Sequence, residues 1–247
     1  MAGFILAIDQ GTTGSTVALM DDRGTVRAAV NNEFPQIYPR PGWVEHNPAD
    51  IWASVEKGIA GILRKRICKA SDIAAIGITN QRETSLLWDR QSGDALNNAI
   101  VWQCRRTTDF CERLKAAGHE KVVKRKTGLV LDPYFSASKY RWLLKNTTGA
   151  ARLHKAGRIA AGTIDSFLVW RLTGGDSHIT DVSNASRTSL MNLKTGRWDK
   201  ELLDLFEVPA DILPTIVASS GTLGRTRGVK GLPDGIPVAG IAGDQQA

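Results

Sequence analysis

Cysteine is scarce: Cys68, Cys104 and Cys111 are the only three in 247 residues, and they form no CxxC pair. Their odd count argues against a disulfide framework and for a reducing, cytoplasmic setting. The four histidines, His46, His119, His154 and His178, lack metal-ligand spacing, which speaks against a structural zinc site. No stretch approaches the ~18 uninterrupted apolar residues of a membrane span. The opening Met1-Ala2-Gly3-Phe4-Ile5-Leu6-Ala7-Ile8-Asp9 has neither the basic start nor the small-residue cleavage site of a signal peptide. Acidic residues are outnumbered, 25 against 32 Lys and Arg, giving a net charge of +7. The basic runs (Arg64-Lys65-Arg66, Arg105-Arg106 and Lys124-Arg125-Lys126) are short and not interleaved with aromatics. A solvated face is therefore expected, with no nucleic-acid partner. With 42% hydrophobic and 23% charged residues, the chain has enough apolar mass for a sizeable core.

The apolar run 4–8 ends at Asp9 and reads as a buried strand. Residues 16–20 and 25–34 read as two further strands. Asp21-Asp22-Arg23-Gly24 forms the hairpin between them, because Gly24 can take a positive φ. Three antiparallel strands are thus expected to open the fold. After a loop at 35–47, Asn47 caps a helix, with Pro48 at its first position and Asp50 near the positive end of its dipole. Ile51, Trp52, Val55, Ile59, Ile62 and Leu63 form its apolar stripe. Ile73 to Ile78 is a second buried-type strand, so the order is that of a mixed α/β sheet. Helices are expected around 105–117, 136–145, 163–172 and 199–206. The Gly-rich segment 221–235 reads as a loose, exposed loop, and Ile236 to Ala242 as a last strand. The final strand-Gly-Asp-Gln turn resembles the opening one, which suggests half of a longer, duplicated architecture.

Several residues could carry chemistry. Gln10-Gly11-Thr12-Thr13-Gly14-Ser15 offers backbone donors and hydroxyls to an anion, and Asp9 at its mouth could hold Mg²⁺ through water. The plain alternative is a tight turn with an Asp beside it. Arg82 and Glu83, in Asn80-Gln81-Arg82-Glu83-Thr84 after a strand, offer donors and acceptors to a polyhydroxylated molecule, or else form a surface ion pair. Trp102 is either core or an aromatic cover for the CH edge of a small polyol. Tyr134 is either a hydroxyl donor or a packed ring. Asp244 is a candidate general base.

Taken in order, Asp9 to Thr13, Gly77 to Thr84, Val101 to Arg106, Asp132 to Ser136, Asn184-Ala185-Ser186-Arg187-Thr188 and Ile241 to Gln246 resemble the glycerol-phosphorylating branch of the FGGY carbohydrate kinases. Tyr134 to Asn146, with Ser136, Lys139 and Trp142, also looks like a signature of that family. The resemblance covers the entire chain.

It implies an actin-like, ribonuclease H-like α/β fold, with residues 1–247 as the N-terminal domain and an adenine-binding C-terminal domain outside this chain. It implies ATP-dependent phosphorylation of glycerol to sn-glycerol 3-phosphate, poorly catalysed by this half alone, in an enzyme that forms a homo-oligomer. By that resemblance Arg82, Glu83, Trp102, Tyr134, Asp244 and Gln245 would line the glycerol pocket, and Asp244 would act as the base. Thr12, Thr13 and Gly14 would meet the ATP phosphates, and Asp9 would serve the Mg²⁺ side. Two departures stand out: Thr16 sits where many members have Arg, and Gly231-Leu232-Pro233-Asp234-Gly235 replaces the Gly-Gly-Thr-Arg of a fructose 1,6-bisphosphate loop. A kinase for another polyol or ketose, or a non-catalytic actin-like module, are the alternatives.

Overall fold

The computed structural model describes residues 3–247; Met1 and Ala2, part of the opening stretch read for a leader, lie outside them. In chain order the first elements are β1 (Phe4–Gln10), β2 (Gly14–Met20), β3 (Val26–Glu33), β4 (Glu45–His46), α1 (Pro48–Arg64), β5 (Ile73–Asn80), β6 (Ser85–Asp89) and β7 (Ala99–Ile100). Helices α2 (Thr108–Ala116), α3 (Glu120–Thr127), α4 (Ser136–Asn146) and α5 (Ala150–Lys155) follow, then β8 (Ile159–Thr163) and α6 (Ile164–Leu172). The chain continues through β9 (Ile179–Asp181), α7 (Val182–Ala185), β10 (Met191–Asn192), β11 (Arg197–Trp198), α8 (Lys200–Phe206), β12 (Thr215–Val217), β13 (Ser220–Arg225) and β14 (Pro237–Gly243).

Six strands form one mixed sheet in the order β13-β14-β5-β1-β2-β3. The opening three are antiparallel, as the short turns between them require, and β1, β5 and β14 run parallel. Register places Leu6, Ile8, Val17, Leu19, Ile76, Ile78, Val238 and Ile241 on one face, where they share a core with α1 and α6. Helix α1 starts where Asn47 Oδ1 accepts the Ala49 N–H at 3.0 Å. Its Gly58 packs so close to β2 that a Cβ there would lie 2.4 Å from Val17 Cγ2. The opposite face is built from smaller residues and leaves an apolar groove of about 340 Å³ over Ala7, Gly77, Gly240 and Ala242.

A second sheet, β4-β7-β6-β8, carries a separate hydrophobic cluster with α4, α5 and α8. Two short pairings complete the topology, β10 with β11 antiparallel and β9 with β12 parallel. No helix among the described residues is long and apolar enough to cross a membrane. The loose-loop expectation for 221–235 is corrected. Residues 220–225 are the edge strand β13, paired antiparallel with β14. Gly224 is small because β13 passes close to the segment after α6: a Cβ would stand 2.7 Å from Thr173 Cγ2. The loop beyond is anchored by buried Val229 and Leu232, and Asp234 Oδ1 accepts the Gly228 N–H at 2.8 Å.

Candidate functional site

Three parallel strands deliver their carboxyl ends to one edge. Asp9 pairs in register with Thr79, and Asn80 with both Gln10 and Gly243. Asp9, the 81–84 turn and Asp244 therefore emerge side by side, and the Asp244 N–H donates to the Asn80 carbonyl at 3.0 Å. The Arg82 guanidinium crosses this edge and donates from Nε to Asp244 Oδ1 at 3.2 Å. Gly243 makes room for it, since a Cβ there would come within 2.3 Å of Arg82 Cδ. The Arg82 side chain is 10% exposed and that of Asp244 40%, so the carboxylate is held from below and open above. The Asp9 carboxyl is raised above its ordinary range, first by partial burial and then by Asp244 nearby.

Glu83 turns the other way. Its backbone has a positive φ of 61°, which costs a non-glycine residue roughly 1 kcal/mol. Its carbonyl accepts from the Ser85 and Ser136 hydroxyls at 2.9 and 3.1 Å. The carboxylate is 2% exposed and accepts from Arg187 Nε at Oε1, 2.7 Å away, while Oε2 carries no hydrogen bond among the described residues. Burial raises the Glu83 carboxyl, with Arg187 opposing. An Arg82–Glu83 surface ion pair, the plain alternative for these neighbours, is not what forms.

Tyr134 follows an Asx turn in which Asp132 Oδ1 accepts the Tyr134 N–H at 2.8 Å. The fully buried Lys139 ammonium donates to the carbonyls of Pro133, Tyr134 and Phe135 at 3.0, 2.5 and 3.0 Å, fixing this loop. Burial pushes Lys139 down to about 7. The half-buried Trp102 ring lies 5.4 Å from the Tyr134 ring at an interplanar angle of 59°. The Arg187 guanidinium sits 4.9 Å from the Phe135 ring and 5.8 Å from that of Tyr134. Burial raises the Tyr134 phenol, with Glu83 adding to the rise.

The Gly11–Gly14 turn closes through Gly11 N–H to the Gly14 carbonyl at 2.9 Å, with Thr13 exposed at its tip. Gly14 lies against β3, where a Cβ would stand 2.9 Å from the Asn32 carbonyl oxygen. Thr12 accepts the Trp102 indole N–H at 3.1 Å, so the turn and the aromatic wall touch. Thr16 donates to Asn31 Oδ1 at 3.3 Å and brings no charge to the turn. Gln245 is exposed beside Asp244 and makes no hydrogen bond among the described residues. Every sequence-selected residue thus lies on or beside one edge. Residue-level reading assigned no role to Arg187 or Lys139, and their pairing with Glu83 and the 133–135 loop is visible only in three dimensions.

The model of the FGGY family of carbohydrate kinases, N-terminal domain, matches residues 4–247. The glycerol kinase of Bdellovibrio bacteriovorus is 58% identical over 247 residues, covering 100% of this chain and 50% of that protein. That of Koribacter versatilis is 53% identical over 99% of this chain and 49% of its own length. Among solved structures, Plasmodium falciparum glycerol kinase with ADP superposes with a TM-score of 0.91 at 33% identity, covering 99% of this chain and 49% of that one. Gluconate kinase from Lactobacillus acidophilus gives 0.87 at 27%, covering 99% and 48%. The chain spans about half the length of the curated relatives it matches.

Proposed function

The chain belongs to the FGGY family of carbohydrate kinases, and on that premise we propose that it is the polyol-binding half of an enzyme that phosphorylates glycerol with ATP to sn-glycerol 3-phosphate. The observation that carries this reading is the Arg82–Asp244 bond, which presents a half-open carboxylate at the sheet edge from which the 11–14 turn also leaves. Glu83 Oε2 and the Arg82 guanidinium would take hydroxyls of the triol, Tyr134 would donate to one, and Trp102 would cover the carbon edge. Gln245, next to Asp244, would supply a further amide contact. Asp244, oriented by Arg82, would accept the proton of the attacking hydroxyl. Phosphoryl transfer asks mostly for positioning and charge stabilisation. Thr12, Thr13 and Gly14 supply that positioning through hydroxyl and backbone donors on the phosphate side.

The edge suits Mg²⁺. The Asp9 carboxyl is raised first by burial and then by Asp244, an environment that a hard dication relieves, and the donors are all oxygen. Asp9 would hold the ion, which when bound neutralises charge on the transferring phosphates. An adenine-binding domain outside this chain, a cytoplasmic setting and a homo-oligomeric enzyme complete the reading. Glycerol-dependent ADP release by the full-length protein, run against gluconate and xylulose, is the test. Release with glycerol well above the others supports it, and preference for a ketose or sugar acid would reassign the substrate.

A further inference from the structure

Six residues close a circuit of hydrogen bonds beneath the site. The Trp102 indole N–H donates to Thr12 Oγ1 at 3.1 Å, and the Trp102 backbone N–H donates to Thr84 Oγ1 at 3.3 Å. Thr84 donates to Gln81 Oε1 at 2.9 Å, and Gln81 Nε2 lies 3.3 Å from His46 Nδ1. His46 Nε2 is 2.6 Å from Gln36 Oε1, and Gln36 Nε2 donates to the Thr12 carbonyl at 3.0 Å. The circuit leaves Thr12 through its hydroxyl and returns to it through its carbonyl.

Proton directions follow from the neighbours. Gln81 Nε2 also faces Gln10 Oε1 at 3.2 Å and the Gly11 carbonyl at 3.3 Å, and Gln36 Nε2 faces the Phe34 carbonyl at 3.4 Å, so both are the NH₂ ends. His46 Nδ1 then accepts from Gln81, and Nε2 carries the proton given to Gln36. The His46 ring is wholly buried, and burial alone pushes it down to about 4, so it is neutral and spends one donor and one acceptor here. An indole N–H only donates. The Thr12 oxygen therefore accepts from Trp102, and its own proton points elsewhere.

We propose that this circuit is a positioning device coupling the polyol wall to the phosphate turn. Trp102 sets the Thr12 hydroxyl as a donor toward a phosphate oxygen, while the buried His46 holds the carbonyl side of the same residue through Gln36. The inference rests on the reading of this edge as a polyol–phosphate site. It adds a second role for Trp102 and first roles for His46, Gln36, Gln81 and Thr84. A polyol against the Trp102 ring and a nucleotide at Thr12 stabilise one arrangement, so each tightens binding of the other by the same factor.

The test uses the full-length protein and reads ADP affinity by calorimetry, with and without glycerol. Trp102→Phe keeps an aromatic face and loses the N–H. ADP binding weakens about three- to tenfold, in line with one lost hydrogen bond, and the factor by which glycerol tightens it falls toward one. His46→Leu does the same, and His46→Gln, which offers an acceptor and a donor, restores it. If His46→Leu does not fold, Trp102→Phe decides alone. A Trp102→Phe protein with weaker glycerol binding but unchanged ADP affinity and coupling would overturn the proposal, as would equal effects of His46→Leu and His46→Gln. ADP binding needs no turnover. A protein inert toward glycerol whose ADP affinity still depends on Trp102 and His46 would refute the substrate reading and uphold the circuit.

Discussion

Arg82 and Glu83 are consecutive residues that serve different walls of the site: the Arg82 guanidinium bonds Asp244, and the Glu83 carboxylate bonds Arg187. The positive φ of Glu83 turns the two side chains apart, and buried serine hydroxyls hold its carbonyl in that turn. The small cost of the backbone conformation secures an acid and a base in one tight turn without letting them neutralise each other.

Arg187 should matter to folding as well as to the site. Arg187→Ala leaves the Glu83 carboxylate buried without its charged partner, a change that costs about 3 kcal/mol for a buried pair. Urea unfolding should show that loss, and adding Glu83→Gln to the same protein should recover part of it, because the two substitutions share one interaction. Strict additivity would mean that the pair does not act as a unit.

Stability should fall on acidification from about pH 6.5 to about pH 4. Burial lowers His46 and His178 to about 4 in the folded protein, so the unfolded chain takes up two protons first as pH drops. Asp165, raised to about 6 by burial, works the other way, since its folded form takes up a proton that the unfolded form does not. Among these three groups one net proton remains, roughly 1.4 kcal/mol per pH unit, which the raised Asp9 and Glu83 carboxyls reduce toward the acid end. His46→Gln should flatten the curve in this window, and an unchanged slope would show that His46 is not buried neutral.

Gly14→Ala should separate the two halves of the site. The added methyl would press on the backbone of Asn32 and Glu33, where no flexible side chain can yield, so the turn must shift. ATP KM should rise about tenfold or more, while glycerol KM rises less, by the part of the shift that Thr12 passes to Trp102. A larger effect on glycerol than on ATP would move the turn out of the phosphate role.

The first sheet is legible in the sequence because β1 is an apolar run ending at Asp9, a Gly24 hairpin joins β2 to β3, and β14 ends in its own Gly-Asp turn. The second sheet is not. Ser85–Asp89 and Ile159–Thr163 are buried at every position, so the period of two that marks a half-buried strand is missing. Glycines at 221 and 224 imitate a loop, yet Gly224 is there because β13 runs tightly past Thr173 and Ser177. For the site, Asp9, Asp244 and the 81–84 turn follow from strand ends. The partnership of Glu83 with Arg187 spans 104 residues, and no local pattern reports a contact at that distance. His46 reads as an unremarked histidine until its ring is found between two glutamine amides.

The most direct test is the kcat and KM of Asp244→Asn in the full-length protein, with glycerol and ATP each varied. The asparagine keeps the shape and an oxygen for Arg82 but cannot take the hydroxyl proton. kcat should drop about 10²- to 10⁴-fold with little change in glycerol KM. Near-normal turnover in that variant would contradict the account, since the carboxylate presented by Arg82 would then have no part in the chemistry.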